Sequence, residues 1–241
     1  MQQFVANTHS QIGNPSLRFE AIKTKDGITI RIMNKMDYPK VKLFMRDNFY
    51  YDEPMGMGVH EPLHLQNEAE EDGNHLHMIG QELCLVATDD TNKGRIVGIV
   101  LAERQVPGNM EDHRIYAESS EHHLWGQNLR FLSKVERDAN LFKRFGVSEL
   151  LYSYITAVDA KVRGKGLGSR LAASLMDLGR SQGLPLMAAY CTSYYSARQK
   201  AALGMVCVHS YPFVDFKDKQ GHVVFNPPPP HTHVQVMVIR L

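Results

Sequence analysis

Residues 148–183 run SELLYSYITAVDAKVRGKGLGSRLAASLMDLGRSQG, a continuous apolar stretch, then glycines at alternate positions, then an amphipathic helical repeat. Strand, glycine loop and helix in that order dictate a crossover unit, so part of any sheet here is parallel. In the loop, Gly164, Gly166 and Gly168 let the backbone turn with several N–H groups facing one point at a helix N-terminus. That is an anion site, and a diphosphate is its natural occupant, with Arg163 and Lys165 adding positive charge. A dinucleotide fingerprint requires GxGxxG and a Walker loop requires GxxxxGK followed by Ser or Thr; neither string occurs. A glycine-rich turn that merely joins strand to helix is the plainer alternative, and the strand before and the helix after favour the anion site.

Around this unit, GITIRIMNK alternates as a half-buried strand. From Asp37, read as an N-cap, Val41, Phe44, Met45 and Phe49 recur at helical spacing up to the break YYDEPMG. Residues 61–80 are acidic and helical in part, and ELCLVATDD and RIVGIVLAE form a hairpin about residues 92–94. In residues 107–145, Leu129, Leu132, Val135 and Leu141 predict one or two surface helices. PLMAAYCT is a buried strand, SYYSARQKAALG a short helix closed by Gly204, and MVCVHSYPFVDF and HTHVQVMVIRL are the last two strands, separated by four prolines at 227–230. The expected fold class is α/β, a single domain over residues 17–241 with one mixed, twisted sheet of about seven strands flanked by helices. Residues 1–16 are expected to be a flexible tail.

With 241 residues, 43% of them apolar, the chain can bury one large core without dividing. Lys plus Arg number 27 against 26 Asp plus Glu, which leaves no cationic excess for a nucleic acid or an anionic membrane. Cys84, Cys191 and Cys207 are too few and too scattered for a disulfide framework and are read as free thiols of a reducing compartment. The N-terminal residues lack the basic start and apolar stretch of a signal peptide, so the expected location is cytoplasmic and the expected state a monomer.

The order Arg163, two residues, Gly166, one residue, Gly168 resembles the acyl-CoA pyrophosphate motif of the GCN5-related N-acetyltransferases. YYDEPMG, CTSYYSARQKAALGM and VVFNPPPPHTHVQVMV resemble the insect-type arylalkylamine N-acetyltransferases, and the likeness extends over roughly residues 27–241. It implies a sheet splayed between the fourth and fifth expected strands, with acetyl-CoA as co-substrate and no metal. The pantetheine arm would pair with the backbone of Ala157, Val158 and Asp159. The diphosphate would rest on amides from Arg163, Gly164, Lys165, Gly166, Leu167, Gly168 and Ser169. Residues 192–198, Tyr195 and Arg198 among them, would flank the arm and the thioester.

Acetyl transfer to an alkyl ammonium requires that a proton be removed first. By resemblance the base is Glu53, acting through water; since an ordinary carboxylate is a weak base, Glu53 is expected partly buried with a raised pKa. On spacing alone AspGluPro reads as a solvated turn. Thr192 and Ser196 match two serines proposed to act around the departing thiolate, and Ser196 is equally placed to cap the following helix. Many members of the superfamily carry a tyrosine general acid in that helix; SARQKAALG has none, though Tyr194 and Tyr195 precede it.

The resemblance implies direct attack by a small arylalkylamine such as dopamine, tyramine, octopamine, serotonin or tryptamine. The alternatives are an aliphatic amine such as agmatine, histamine or a polyamine, and a non-catalytic acyl-CoA-binding module. The histidine pairs His75 with His77 and His231 with His233 are read as surface or core residues rather than metal ligands, and Cys191 as a buried structural thiol. His64 and His122 are candidates for the amine pocket, and acidic residues 68–72 are read as a solvated face that steers cations.

Overall fold

The structure is a computed structural model that describes residues 19–57, 68–119 and 124–241. The expected tail at 1–16, His64 and His122 lie outside the described residues. Among the described residues eight strands form one sheet: β1 (Ile22–Lys23), β2 (Ile28–Ile32), β3 (Leu85–Asp89), β4 (Arg95–Gln105), β5 (Leu150–Val158), β6 (Leu186–Cys191), β7 (Val206–Pro212) and β8 (His233–Arg240). The order across the sheet is β1-β2-β3-β4-β5-β6-β8-β7. All seven expected strands form; the eighth, β1, is a two-residue edge that pairs with β2 across a turn at Gly27, whose φ of 78° suits glycine.

Every neighbouring pair is antiparallel except β5 and β6, which run parallel, joined by helix α6 (Leu167–Ser181). Their ladder consists of Leu151↔Met187 and Tyr152↔Ala188 and then stops, although β5 continues to Val158 and β6 to Cys191. This is the splay expected between the fourth and fifth strands of the sequence reading.

Helices α1 (Tyr38–Asn48) and α2 (Glu68–Gly80) cover one face with Val41, Met45 and Met78 packed on Val86, Ile99 and Ile155. Helix α6 and the short α7 (Tyr194–Ala202) cover the other, with Leu171 and Leu175 against Ala87, Val100 and Met187. Residue alternation along β3 decides the partition, Leu85 and Ala87 facing α6 and Val86 facing α1. In β5 the phase changes. Leu101 of β4 faces Ile155 and Ala102 faces Ser153, so Tyr154 is an extra residue, a bulge beside the splay. Leu150 and Tyr152 before it, and Ile155 and Ala157 after it, therefore belong to the same face.

Among the described residues, the stretch 107–145 holds three helices rather than one or two: α3 (Pro107–Ser119), α4 (Leu124–Ala139) and α5 (Leu141–Phe145). Nor is α4 only a surface cover. Phe131 and Val135 are wholly buried, because α4 lays its apolar stripe on the half-sheet beyond the splay. Asp37 is not the expected side-chain cap of α1; its carboxylate receives two hydrogen bonds from Arg31 at 2.7 and 2.8 Å and one from the Asn34 N–H at 2.9 Å. The acidic stretch 68–72 is only partly a solvated face: Glu71 is buried, and Asp72 accepts bonds from Tyr38 at 2.7 Å and Lys42 at 2.6 Å. No helix among the described residues is long and apolar enough to cross a membrane.

Phe131 is the hub of the outer half-sheet core, with Tyr211, Phe213, Phe216 and Phe225 at centroid distances of 5.6, 5.6, 4.9 and 5.4 Å. Phe131→Ala leaves a cavity that these four rings cannot refill. It should lower unfolding free energy by about 3–5 kcal/mol in urea titration, with the m-value unchanged.

Candidate active site

Where β5 and β6 part, a cleft of about 1140 Å³ opens, walled by the glycine loop, both strand ends, α7, and the turns that follow α1. At one end Gly164 and Gly166 take φ values of 77° and 81°, a left-handed backbone that a side chain would strain. Gly166 caps α6 without a side-chain hydrogen bond, and the Arg170 N–H is bonded to the Gly166 carbonyl at 3.1 Å. The N–H groups of Leu167, Gly168 and Ser169 therefore point out of the helix end, unsatisfied by the helix itself.

Beside them the Gln199 amide nitrogen is buried with no hydrogen-bond partner among the described residues, 3.0 Å from where a Cβ on Gly168 would stand. Free helical amides, two left-handed glycines and an orphaned amide donor fit a diphosphate with an amide-bearing arm attached. The strand edge adds to this. The Asp159 N–H donates to the Val97 carbonyl at 3.0 Å, so alternation turns the backbone groups of Ala157 toward β4 and those of Val158 toward the gap.

Several residues expected to hold the co-substrate are otherwise engaged. Asp159 is buried, its carboxylate accepting from the Lys161 N–H at 2.8 Å and pairing with Arg95, so its groups build the turn rather than face the cleft. Ala157 presents its backbone to β4. The Arg163 guanidinium donates to the Val158 carbonyl at 3.0 Å, to Asp52 at 2.7 Å and to the Asn48 carbonyl at 2.8 Å. It latches the glycine loop to the end of α1 and occupies the one carbonyl that β5 turns toward the gap there. Lys165 is exposed, and Arg198 is exposed with its guanidinium 5.6 Å from the Tyr194 ring centre, so neither reaches the cleft wall. Tyr195 does reach it, edge-on to the buried ring of His231 at 5.6 Å.

Glu53 stands at the turn before Pro54, on the cleft wall but enclosed by protein on most sides. Its carboxylate accepts from the Met55 N–H at 3.4 Å and is hydrogen-bonded to the Thr192 side chain. Loss of hydration outweighs both bonds and raises its pKa from 4.5 to about 7. Thr192 thus bridges the strand-end segment to Glu53. Ser196 is not the expected cap: Ser193 caps α7 by accepting from the Tyr195 N–H at 3.2 Å, while the Ser196 hydroxyl donates to the Ser193 carbonyl at 2.8 Å and is hydrogen-bonded to Cys191.

The cleft is also lined by tyrosines and carboxylates, of which the sequence reading touched only Glu71, within the acidic stretch 68–72. Burial raises Glu71 to about 7 against the hydrogen bond from Tyr50, and burial also raises Glu103 against the bond from Gln105. Glu136, 4% exposed, lies 3.0 Å from His113 and raises that imidazole's pKa. Tyr152, Tyr154 and Tyr190 form the inner wall, with Tyr152 at 5.0 Å from Tyr190 and 5.9 Å from Tyr154. A sequence signal for the acids existed. Glu136 is four residues after Leu132 and seven after Leu129, and Glu71 is four before His75 and seven before Met78, so each interrupts an apolar helical stripe. His75 and His231 are both engaged, the first with the Tyr38 hydroxyl at 3.0 Å and the second with the Tyr194 N–H at 3.2 Å.

No family profile matches the chain. Solved structures do. A crystal structure of an agmatine N-acetyltransferase mutant in its apo form is similar with a TM-score of 0.82 and 32% identity, over 90% of this chain and 100% of that one. A polyamine N-acetyltransferase of Drosophila melanogaster, described as catalysing formation of N-acetylagmatine, gives 0.81 and 32% over 89% and 100%. A mosquito arylalkylamine N-acetyltransferase-like protein, 5b, gives 0.79 and 26% over 89% and 100%.

The raised Glu53 pKa has a sign that can be tested through stability. Below the unfolded value of 4.5 both states are protonated; as pH rises through about 7 the unfolded chain ionises first, so folding loses stability over that window. Glu53→Gln lacks this loss. Relative to the wild type it should gain roughly 1–3 kcal/mol between the two pH limits, read as urea midpoints at both.

Proposed function

Because the chain belongs to the insect arylalkylamine N-acetyltransferase group of the GCN5-related N-acetyltransferases, we propose that it moves the acetyl group of acetyl-CoA to a small primary amine, with Glu53 as general base. The observation that carries this reading is a carboxylate of pKa about 7, bound to Thr192, in the cleft opened by the splayed strands. A base of that pKa is half ionised near neutrality and can take a proton from an ammonium directly or through water. The diphosphate rests on the amides of Leu167, Gly168 and Ser169, Gln199 offers its free donor, and Val158 offers its edge N–H to the arm. Thioester and amine then meet between Glu53 and the 192–196 segment, and the freed amine attacks the carbonyl in a ternary complex. A non-catalytic acyl-CoA binder has no need of the desolvated Glu53.

For the amine, Glu71, Glu103 and Glu136 weigh most. Glu71 and Glu103 lose hydration that their single neutral donors do not make good, Glu136 stands beside them with His113 as its partner, and a ligand with a second cationic group would relieve the first two. We therefore favour an agmatine- or polyamine-like substrate over the arylalkylamine that the sequence resemblance puts first. The aromatic wall of Tyr152, Tyr154 and Tyr190 supports the arylalkylamine as the second reading, since an aryl ring stacks there as readily as a cation.

The test is CoA-thiol release with agmatine, spermine, histamine, tyramine and dopamine. Glu53→Gln should keep acetyl-CoA affinity and lose about 10²–10⁴-fold in kcat; undiminished turnover would remove Glu53 from the reaction. Wild-type kcat/KM should climb as pH rises through about 7, where Glu53 gives up its proton, and the variant should lack that limb.

The substrate assignment is checked separately by joint replacement of Glu103 and Glu136 with Gln. KM for agmatine should rise about tenfold or more, with little change for tyramine. The reverse pattern would return the arylalkylamine to first place.

A further inference from the structure

Helix α7 buries a lysine. Lys200 is 2% exposed and stands on the cleft wall, and among the described residues its ammonium has one hydrogen-bond partner, the Thr156 hydroxyl of β5 at 3.4 Å. No carboxylate among the described residues pairs with it. An unpaired ammonium held out of water is costly, and such a group in a cleft marks a site that makes use of it. The β5 bulge at Tyr154 matters here, because it sets Thr156 on the α7 side of the sheet, opposite the face that takes Ile155 and Ala157.

Glu53 is hydrogen-bonded to Thr192, Lys200 lies one helical turn after Ser196 on α7, and all four side chains line the same cleft. Carboxylate and ammonium thus flank one short segment, residues 191–196, that also carries Thr192 and Ser196. β5 presents Thr156 to the ammonium and β6 presents Cys191. Beyond burial, Cys191 is the titratable neighbour among the described residues that bears on the lysine's ionisation. Burial lowers the lysine pKa, while burial raises that of Glu53, the divergence from ordinary values by which one cleft assigns an acid and a base.

Acyl transfer from an ammonium moves three protons. The nitrogen gives one up before it attacks and a second once it is bonded to carbon, and the departing thiolate takes one. We propose that Lys200 is the general acid that protonates the CoA thiolate as it leaves, an inference that rests on the acetyl-transfer reading above. The N–C bond forms, the bonded nitrogen releases its second proton through water to Glu53 or solvent, the C–S bond breaks with its electron pair on sulfur, and the sulfur takes a proton from the Lys200 ammonium. Neutral Lys200 regains a proton from solvent, and the Thr156 hydroxyl can accept from the charged form or donate to the neutral one, which holds Nζ in place through the cycle.

The experiment compares the wild type, Lys200→Met and Lys200→Arg, each with acetyl-CoA and the amine that the wild type turns over, across roughly pH 6 to 10. Thermal unfolding and calorimetric acetyl-CoA binding accompany each. With binding preserved, Lys200→Met should lose about 10²-fold or more in kcat. The wild-type kcat should fall on the alkaline side below the ordinary lysine pKa, and that limb should vanish in the variant. Lys200→Arg keeps the charge but holds its proton, so it should stay slow.

Wild-type kcat in Lys200→Met, or recovery by Lys200→Arg, would overturn the proposal, the latter leaving only a fixed charge. If both variants fail to fold, the wild-type profile decides, a kcat without an alkaline limb being the adverse result. A silent wild type would sink acetyl transfer itself, and the proposal with it; turnover that ignores position 200 sinks the proposal alone.

Discussion

The parallel ladder between β5 and β6 ends after Tyr152↔Ala188, and the rest of the site depends on that ending. Two strands that continue past their last pair leave backbone donors and acceptors without a sheet partner, which a buried interior does not tolerate unless something else supplies them. Here the rings of Tyr152, Tyr154 and Tyr190 wedge the gap, Arg163 takes the Val158 carbonyl, and what remains unsatisfied faces the cleft. The gap keeps its shape because α6 is seated closely on the sheet. A Cβ at Gly98 would stand 2.8 Å from Leu171, and one at Gly179 would stand 2.7 Å from Leu151, so two glycines let helix and strands approach to a fixed depth. The N-terminus of α6 is thereby aimed at a constant point.

That point was legible in the sequence, because glycines between a strand and an amphipathic helix have few other uses. The alternation of β2 and β8 was legible for a similar reason: Ile28, Ile30 and Ile32, and Val234, Val236 and Val238, recur with a period of two. β5 left no such trace. It is apolar throughout, so its phase cannot be read, and the bulge at Tyr154 that reverses the phase is invisible until β4 is laid beside it. In residues 107–145 helices were expected, but their charged residues hid an inward stripe that includes Glu136, since an acid in a stripe reads as the end of a stripe.

The site divides the same way. Glu53 was named by resemblance, and its burial follows from Thr192 and from enclosure by distant segments that spacing does not report. Among Thr192, Ser193 and Ser196, three hydroxyls in five residues, the sequence offers no reason to choose Ser193 as the cap; only the first backbone angles of α7 decide it. Arg163 carries contacts that spacing does not report. Beside three glycines it reads as a phosphate ligand, yet its planar fork finds one carboxylate and two carbonyls that come together only in the fold, and it serves by holding the loop to α1.

These placements share one electrostatic consequence. The cleft holds Glu53, Glu71 and Glu103 with pKa values pushed up and Lys200 with its value pushed down, so near neutral pH its groups stand closer to the uncharged state than the same residues would in water. A cleft in that condition is poorly compensated when empty, and stability is lower for it, as is common where a fold retains reactive groups. A cationic ligand would reverse the balance, since each carboxylate beside it would gain a partner and favour its ionised form, and cation binding would then be linked to proton release. The proton demand of acyl transfer then falls on a site already prepared to exchange protons, because the low dielectric that makes these side chains costly to bury also makes their charges respond to one another.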